Sequence, residues 1–374
     1  MKPNKYAVAK DYLMSASPKK CKVGFLWDYS METFNFGKSH PVRVGRFQMV
    51  RDFIEQVELL TAENISILKP EPLSESLLER IHAPEYLDEV RRISRTGEGE
   101  IDIDTPGFRG IYENALITTG ATVTGVKAIL SGEVDHFYSP TGGFHHAKYA
   151  WGGGFCVFND IAAAIYELKS QGFSRVLVLD LDVHHGNGTQ EYFYNDPDVM
   201  IISFHEDPEW LYPHDGFITD IGSDEGLGLN INMPFPMDSG DAVYRYAFDN
   251  LIPSLVEFFE PDFIFLLPGY DAHYRDSMSH LTLTTDIIRY TSKWIHQAAH
   301  KWSQGKLGVI SGGGYHPEAF LWCAGTVLSV ISRTDYQPPS QEPPFEDDDE
   351  TWNIVKRNVS RVQELVFPIL GLEK

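Results

Sequence analysis

Six short aliphatic runs, separated by helical patterns, limit the folds that this chain can adopt. The runs are bounded by turn residues and cover 22–27, 135–138, 175–181, 198–204, 262–267 and 307–311. Such runs are typical of strands buried on both faces of a parallel sheet. Helical patterns lie at 110–130, 159–172, 241–259 and 284–303. The second of these begins at Asn159, a residue type preferred at helix N-caps. The alternation predicts a single-domain α/β protein with an open parallel sheet and helices on both faces.

The remaining segments suggest how the chain is divided. A proline-rich stretch at 337–344 and the acidic sequence EPPFEDDDE follow the last run. Beyond them, apolar residues recur at helical spacing: Trp352, Val355, Val359, Val362 and Val366. We predict an N-terminal extension at 1–20, a catalytic domain at 21–335, a linker at 336–350, and a helix within 351–374 that packs on the domain.

Composition argues against several classes of function. The chain has 31 basic and 53 acidic residues, a net charge of −22, so its surface repels nucleic acid and anionic membranes and attracts cationic substrates. The same acidity would also serve solubility alone. No stretch approaches the roughly 18 apolar residues of a membrane span. The first 20 residues lack a continuous apolar segment, so we predict no signal peptide and a cytoplasmic protein.

The three cysteines, Cys21, Cys156 and Cys323, are far apart in sequence and form no CxxC pair. This usage fits a reducing compartment. It argues against a disulfide framework and against a thiolate metal site.

Residues 176–190, VLVLDLDVHHGNGTQ, place acidic and imidazole side chains directly after an aliphatic run. In open α/β sheets, ligands bind outside the carboxyl ends of the strands. Asp182 and His184 are two residues apart, so on extended chain they point to the same side. Asp271 follows the run at 262–267 and could supply a third ligand. One imidazole and two carboxylates suit zinc or another first-row divalent metal and leave a position open for water.

Other predicted strand ends carry related chemistry. His145 and His146 follow one run in SPTGGFHHA, and Tyr315 follows another in ISGGGYHPE. A metal lowers the pKa of its bound water to about 7, and a paired histidine can accept the proton. Each feature alone has a structural explanation, such as a helix cap, a satisfied polar histidine or a tight turn. Together they favour a metal hydrolase, mononuclear or binuclear, because carboxylates beside an aliphatic strand need a group that neutralises them.

The motifs resemble, in order, those of the histone deacetylase superfamily. They are PTGGFHHA, GGGFCVFNDIAAAI, VLVLDLDVHHGNGTQEYFY, ISFHEDPEWLYP, LLPGYDAH and SGGGYHP. The similarity runs from FGKSHPVRVGR at 36–46 to about residue 325 and is greatest to the acetoin-utilisation branch of prokaryotic deacetylases. It implies the arginase–deacetylase fold, with about eight parallel strands. It also implies a zinc-dependent deacetylase, with Fe²⁺ as an alternative metal and structural K⁺.

The resemblance implies a role for each matching residue. The metal ligands would be Asp182, His184 and Asp271. The catalytic residues would be His145, His146, Tyr315, Asp180 and Asn187. The substrate-binding residues would be Asp104, Gly154, Phe155, Tyr212, Met278 and Gly313. Structural potassium would lie near Asp180, Asp182, His184, Ser203 and Phe204. Arg46 would line an internal cavity for acetate.

Several of these implied roles are specific. Tyr315 would polarise the amide carbonyl and stabilise the oxyanion, while Asp180 would fix the tautomer of His145. The Gly154 carbonyl would accept the substrate N–H. The channel for the acyl-lysine stem would be formed by Phe155 and Tyr212, with Met278 at its foot. The rim aspartate that holds the substrate backbone would be Asp104.

The chain departs from the usual pattern in three places. Asn187 stands where class I deacetylases have aspartate; class II enzymes and polyamine deacetylases share the asparagine. The alternative to a catalytic role is that Asn187 only shapes a turn. Tyr212 replaces the commoner channel phenylalanine and could bond a polar substrate. His273 and Arg275 enrich the loop after Asp271; they would lie near the mouth or, as we favour, simply at the surface.

Three functions remain to be compared. The first is a deacetylase of acetyl-lysine in proteins or peptides, or of a cationic acetylated amine such as an acetylpolyamine. The second is a binuclear manganese ureohydrolase, which shares the fold but needs further metal-bridging carboxylates that DLDVHH lacks. The third is a non-catalytic acyl-lysine binding module, which loss of Tyr315 or of a ligand would favour. The sequence retains Tyr315 and all three predicted metal ligands, so we predict the first function.

Overall fold

The computed structural model describes residues 21–344 and 346–373, so the predicted extension at 1–20 lies outside the described residues. The strands are β1 (Val23–Leu26), β2 (Ile65–Leu68), β3 (Glu100–Asp102), β4 (Thr105–Pro106), β5 (His136–Ser139), β6 (Val176–Asp180), β7 (Val199–Glu206), β8 (Asn230–Phe235), β9 (Phe263–Leu267) and β10 (Leu307–Ile310). The α-helices are α1 (Arg46–Gln56), α2 (Glu75–Ile81), α3 (Pro84–Thr96), α4 (Ile111–Leu130), α5 (Asp160–Ser170), α6 (Asn187–Phe193), α7 (Asp241–Phe259), α8 (Thr285–Trp302), α9 (Pro317–Ser332) and α10 (Asp349–Leu370).

Eight strands form one parallel sheet in the order β2-β1-β5-β10-β9-β6-β7-β8. Alternate residues of β6 face opposite sides: Leu177 and Leu179 join one apolar core, whereas Val176 and Val178 join the other. Burial on both faces explains why this strand is an unbroken aliphatic run. The predicted open parallel sheet of about eight strands, covered by helices, is confirmed.

The predicted elements agree closely with the observed ones. The six aliphatic runs correspond to β1, β5, β6, β7, β9 and β10. The pattern at 241–259 matches α7 residue for residue. The Asn159 side chain accepts a hydrogen bond from Ala162 N at 2.8 Å, as expected of an N-cap.

The edge strands β2 and β8 were not predicted. In β2, the two central residues are exposed, and in β8, two asparagines and a proline interrupt the aliphatic pattern. The C-terminal helix α10 nevertheless buries β8, and Asn358 Nδ2 donates a hydrogen bond to Pro234 O at 3.0 Å. A covered edge strand cannot pair with another chain, so α10 protects the sheet as well as packing on it.

A short antiparallel pair, β3 and β4, lies outside the main sheet. Asp104 is in the turn between these two strands. None of the helices that the structure describes is long and apolar enough to cross a membrane.

Candidate active site

Four neighbouring strands bring the predicted functional residues together. In the sheet, β5, β10, β9 and β6 are adjacent and parallel, so their carboxyl ends share one edge. The loops after these strands carry the paired histidines, Tyr315, Asp271 and the Asp182–His184 segment, respectively. We call this edge the catalytic edge. It is where an open α/β sheet is expected to bind ligands.

Asp182, His184 and Asp271 form a buried group whose potential ligand atoms all lie within 4.8 Å of one another. His184 Nδ1 is 3.1 Å from Asp182 Oδ1 and 3.1 Å from Asp271 Oδ2. Gly313 lets its chain approach this group, because a Cβ atom there would be 1.9 Å from Asp271 Oδ2. Its N–H donates to Asp182 Oδ2 at 2.5 Å. These donors suit a single divalent cation.

The protonation properties of this group reflect its excess of negative charge. Burial and the neighbouring Asp182 carboxylate raise the pKa of Asp271 to about 7. Burial opposes protonation of His184, but hydrogen bonds with the two aspartates raise its pKa to about 10. Two buried carboxylates therefore favour a positive charge between them, which a metal cation provides.

His145 is the member of the tandem pair that has a carboxylate partner. Its Nδ1 lies 2.7 Å from Asp180 Oδ2, and both side chains are buried. Burial disfavours the imidazolium, but the carboxylates of Asp180 and Asp182 overcome this effect and raise the pKa of His145 to about 9. Asp180 therefore holds the ring in one orientation and stabilises its charged form.

His146 has a neutral partner. Its Nδ1 is 2.9 Å from Asn187 Oδ1, so Nδ1 donates and the lone pair lies on Nε2, which is 3.2 Å from His145 Nε2. Burial, together with the nearby His145 and His184, holds the pKa of His146 well below its usual range. Of the two histidines, His146 is thus suited to accept a proton near neutral pH.

Tyr315 lies beside the metal-ligand group in a fixed orientation. Its ring packs edge-on against Phe155, with centroids 5.7 Å apart, and the Arg46 guanidinium is 5.3 Å from its centroid. Burial, reinforced by the Asp271 carboxylate, raises the pKa of Tyr315 well above the ordinary value, although Arg46 opposes this. The phenol therefore remains protonated and can donate a hydrogen bond.

Asp276 is a site residue that the sequence reasoning missed. Its Oδ2 accepts hydrogen bonds from the backbone N–H groups of Tyr315, at 2.5 Å, and His316, at 2.8 Å. It lies in the loop after β9, five residues beyond Asp271. The only signal in the sequence was another aspartate in that loop, and its partners are about 40 residues away.

Asp160 was missed as well. Its carboxylate accepts from the backbone N–H groups of Gly143 and Phe144 at 3.1 and 2.8 Å. It therefore anchors the loop that carries the paired histidines. The residue opens α5, directly after the predicted cap, but its reach to another loop requires the tertiary fold.

A cavity leads from the catalytic edge into the protein and encloses about 820 Å³, including part of the open mouth. Its wall includes Arg46, His146, Gly154, Phe155 and Tyr315. Deeper, its lining is aromatic and small, with members such as Phe34, Phe108, Ala115, Thr118 and Gly142. Within residues 21–344 and 346–373, Arg46 forms no ion pair within 4 Å; its guanidinium lies 4.2 Å from the centre of the Phe320 ring. The cavity thus offers an unneutralised cation to a small anion.

The mouth of the site is formed by the β3–β4 turn and the glycine-rich loop at 152–155. Gly154 N–H donates to the two carboxylate oxygens of Asp104 at 3.0 and 3.2 Å. Gly154 has φ +56°, and a Cβ atom there would meet His146 Cδ2 at 2.3 Å and Tyr212 Cε1 at 3.1 Å. Glycine is required because the backbone passes between these two rings. Phe155, next in the chain, packs on Tyr315.

Tyr212 lies against two imidazoles of the site. Its ring centroid is 5.0 Å from that of His146 and 6.4 Å from that of His184. Its hydroxyl is buried and has no hydrogen-bond partner in the described part of the chain. Burial, reinforced by Asp104, raises the pKa of this phenol above its ordinary value. A neutral, unpaired hydroxyl at this position can bond a polar group of a ligand.

Three further residues of the loop after β9 were given positions from the sequence: Met278, Arg275 and His273. Met278 is half-buried, and its N–H donates to Asp276 Oδ1 at 3.0 Å, but it is not among the residues that line the cavity. Arg275 is a surface residue that pairs with Glu318 at 2.7 Å. The surface placement of His273 was wrong: it is fully buried, with Nε2 3.0 Å from Gln341 Oε1.

The five residues matched to a potassium site lie together beside the catalytic group. Asp180 and Ser203 are directly paired where β6 adjoins β7. Ser203 Oγ is 2.8 Å from His205 Nδ1, while Asp180 Oδ1 accepts from Asp182 N–H at 3.1 Å. Phe204 and His184 are also buried.

A buried Asp–His–Asp group with paired histidines, at the carboxyl edge of a parallel sheet, is typical of α/β hydrolases that use a divalent metal. Residues 40–331 match the histone deacetylase domain family, and the chain belongs to that family.

Curated relatives support the same assignment. The chain is 32% identical over 302 residues to the acetoin utilization protein AcuC of Bacillus subtilis, covering 78% of this chain and 77% of that protein. It is 36% identical over 287 residues to a probable deacetylase of Archaeoglobus fulgidus, covering 76% and 78%. Over 265 residues it is 36% identical to a histone deacetylase-like amidohydrolase of Pseudomonas aeruginosa, covering 70% and 69%.

Solved structures agree on the fold. The crystal structure of a histone deacetylase homologue from Aquifex aeolicus superimposes with a TM-score of 0.79 at 25% identity, covering 91% of this chain and 100% of that chain. A homologue solved in complex with SAHA gives 0.77 at 26% identity, covering 91% and 89%. The protein is therefore an enzyme, a hydrolase with the arginase–deacetylase fold.

Proposed function

We propose that this protein is a zinc-dependent deacetylase that hydrolyses the amide of acetyl-lysine, or of a related N-acyl amine, to the free amine and acetate. The observation that carries the proposal is the convergence of Asp182, His184 and Asp271 to within 4.8 Å beside His146 and Tyr315. Three protein ligands with room for a further one form a catalytic rather than a structural zinc site. In this mechanism, bound zinc supplies Lewis acidity and lowers the pKa of water to about 7.

The side chains of the protein would divide the remaining work. His146, kept neutral by burial and by the neighbouring His145 and His184, accepts a proton from the attacking water at Nε2 and later returns it to the departing amine. Tyr315 donates its hydroxyl proton in a hydrogen bond to the developing oxyanion. His145, with its pKa raised by Asp180, supplies positive charge beside the reacting carbonyl.

The mouth would bind the substrate on both sides of the scissile amide. The Gly154 carbonyl accepts the amide N–H, and the rings of Phe155 and Tyr212 flank the acyl-lysine stem. Asp104 would hold the substrate backbone at the rim, while Arg46 lies where the product acetate can be drawn into the cavity. Met278 would contact the stem only if its loop moved, since the structure does not place it on the cavity wall.

Structural potassium is part of the proposal. Asp180, Asp182, His184, Ser203 and Phe204 would provide side-chain and main-chain oxygens for it. The direct pairing of Asp180 with Ser203 brings two of these chains side by side. A monovalent cation there would hold the strand end that carries the zinc ligands.

A second candidate substrate is an acetylated polyamine or another small cationic amide. The buried, unpartnered Tyr212 hydroxyl favours it, because a stem containing an additional amine could satisfy this group whereas an aliphatic lysine stem could not. The net charge of −22 would attract such a cation.

The test is to measure hydrolysis of a fluorogenic acetyl-lysine peptide, N-acetylputrescine and N-acetylspermidine in parallel, with metal analysis of the same sample. We expect turnover of at least one substrate class, with zinc or iron present. Tyr212→Phe, the matched variant, should lower kcat/KM for the polyamine more than for the peptide if the polyamine is the preferred substrate. A metal-loaded, folded protein that hydrolyses none of these amides would contradict the proposal.

A further inference from the structure

A second group of potential metal-binding side chains lies at the opposite end of the strands from the catalytic edge. Cys21 lies two residues before the start of β1, His136 is the first residue of β5, and His296 and His300 are one turn apart on α8. Because β1 pairs with β5 and Val23 is opposite His136, Cys21 and His136 share the amino ends of the strands. We call this side the amino edge and these four residues the Cys–His cluster.

The four potential ligand atoms converge on one point. His296 Nε2 is 3.0 Å from His136 Nε2 and 3.1 Å from His300 Nε2. Cys21 Sγ is 3.2 Å from His300 Nε2 and 3.6 Å from His296 Nε2. All four atoms lie within 4.8 Å of one another. A tetrahedral zinc with the usual bond lengths needs N···N separations of roughly 3.3 Å and S···N separations of roughly 3.5 Å. The cluster needs to expand by only a few tenths of an ångström at its shortest contacts.

Hydrogen bonding alone leaves this arrangement incompletely satisfied. A neutral imidazole nitrogen carries either one proton or one lone pair, so each Nε2 makes a single in-line hydrogen bond. His296 Nε2, however, faces His136 Nε2, His300 Nε2 and the Cys21 sulfur at once. A cation at the centre accepts a lone pair from every one of the four ligands.

The environment keeps the imidazoles in the form that binds metals. Burial lowers the pKa of His136 to about 4, and burial together with His136 and His300 strongly lowers that of His296. Burial and the nearby Arg333 lower the pKa of His300, while Asp135 acts in the opposite direction. Neutral imidazoles and a thiolate are favourable zinc ligands.

The main chain fixes the cysteine in place. The Cys21 carbonyl accepts a hydrogen bond from Asn64 Nδ2 at 2.6 Å. The next residue, Lys22, donates its N–H to Asp135 Oδ2 at 2.8 Å and accepts from His136 N–H at 3.1 Å. Cys21, His136 and His296 are buried, and the more exposed His300 provides a path for entry. The cluster is thus positioned before any cation binds.

We propose that Cys21, His136, His296 and His300 bind a Zn²⁺ ion in a second, structural site of this enzyme. Four protein ligands complete a tetrahedron and leave no position for water or substrate, which is the coordination number of a structural zinc site. The ion would join the chain before β1, the start of β5 and the end of α8. It would therefore stabilise the amino edge without taking part in hydrolysis.

The test uses Co²⁺ as a spectroscopic replacement for zinc, because a thiolate–Co²⁺ bond gives a charge-transfer band in the near ultraviolet. The catalytic ligands contain no sulfur, and among the described residues Cys21 is the one cysteine in a metal-ligating group, so the Cys–His cluster is the expected source of this band. The metal-depleted full-length chain would be titrated with Co²⁺ as wild type and as Asp271→Ala, Cys21→Ser, His300→Ala and Cys323→Ala. Circular dichroism would monitor the fold.

We expect the wild-type protein and the control Cys323→Ala to bind two equivalents of Co²⁺ with the band. Asp271→Ala should bind one equivalent and retain the band. Cys21→Ser should lose the band, and His300→Ala should weaken or abolish it, while both retain the catalytic equivalent. If metal depletion unfolds the chain, the zinc content of the untreated proteins gives the same comparison, with one equivalent fewer in Cys21→Ser than in wild type.

Two results would overturn the assignment. One is a wild-type protein that binds a single equivalent and shows no thiolate band at saturating Co²⁺. The other is a band that persists in Cys21→Ser. Neither result depends on catalysis, so the test is separate from that of the deacetylase proposal.

Discussion

The two edges of the sheet use histidine in opposite ways. At the catalytic edge, His145 and His184 have carboxylate partners, which raise the pKa of each ring to about 9 and about 10. At the amino edge, the three histidines have no carboxylate hydrogen-bond partner in the described chain, and burial dominates, lowering the pKa values of His136 and His296. The partner, rather than burial alone, determines whether a buried imidazole favours charge.

The same difference separates two uses of a metal. Two carboxylates and one imidazole form an incomplete ligand set beside a cavity, which suits exchange of water and substrate. One thiol and three imidazoles form a set of four ligands, which is complete for a tetrahedral metal. We therefore predict that the two edges can be disabled independently: loss of the catalytic site would affect turnover, and loss of the Cys–His cluster would affect stability.

The largest expected effect follows from removing a catalytic ligand. We expect Asp271→Ala to reduce turnover to background and to remove one metal equivalent, because the two remaining ligands cannot hold the catalytic metal. The measurement is metal content together with hydrolysis of an acetyl-lysine peptide. Asp286→Ala, which removes an exposed carboxylate from the first turn of α8, is the control and should leave both values unchanged. Wild-type turnover in Asp271→Ala would exclude this residue as a ligand.

The next effect concerns an oxyanion donor. Tyr315→Phe should lower kcat by roughly 10² to 10³, or about 2.7–4 kcal/mol, because one preorganised donor to the oxyanion is lost. Metal content at both edges should remain at the wild-type value. Steady-state kinetics with metal analysis would test this. Tyr274→Phe, in the same loop as Asp276, is the matched control, and its kcat should not change.

The sequence predicted the catalytic edge well because its chemistry is concentrated at strand ends. Asp182, His184 and Asp271 each follow an unbroken aliphatic run, and the parallel sheet alone brings such positions together. The central strands were predicted for the same reason, since burial on both faces produces a recognisable pattern. The edge strands β2 and β8 lack that pattern and were missed.

The amino edge could not be predicted in this way. Its four residues are spread over 280 positions, and the expectation that no thiolate metal site exists was based on the absence of CxxC, which concerns neighbours in sequence only. The spacing of His296 and His300 does predict that they are neighbours on one face of a helix. The proximity of Cys21 to His136, however, can be known only once the pairing of β1 with β5 is known. Similarly, the hydrogen bond from Tyr315 N–H to Asp276 depends on the tertiary structure and could not be predicted from the sequence.

A smaller effect should appear in stability rather than turnover. Cys21→Ser should lower the melting temperature while kcat remains unchanged. A cation present at 100 to 1,000 times its Kd stabilises the fold by about 3–4 kcal/mol, which for a chain of this length corresponds to roughly 4–5 °C. Differential scanning calorimetry at fixed Zn²⁺, with Cys323→Ala as a second cysteine variant, would measure it. A zinc-dependent melting temperature that is identical in wild type and Cys21→Ser would contradict a structural role for the cluster.

His146 differs from the other histidines of the catalytic edge. It lies at the catalytic edge, yet its hydrogen-bond partner is the neutral Asn187 amide, and its pKa is lowered like those of the amino-edge histidines. If the partner determines the charge, replacing this amide with a carboxylate should make His146 behave like His145.

We therefore expect Asn187→Asp to move the acidic limb of the kcat/KM profile to higher pH. A negative charge beside Nδ1 favours the imidazolium and raises the pKa of His146, so the neutral base forms only at higher pH. Asn187→Ala removes the acceptor without adding charge and should not shift the limb upward. The comparison requires wild-type metal content in both variants. We expect the fold to tolerate the aspartate, because a negative charge in the first turn of α6 is favourable. An unchanged acidic limb in Asn187→Asp would mean that Asn187 only shapes the turn between Gly186 and Gly188, and that burial and the neighbouring imidazoles keep His146 neutral whatever its partner.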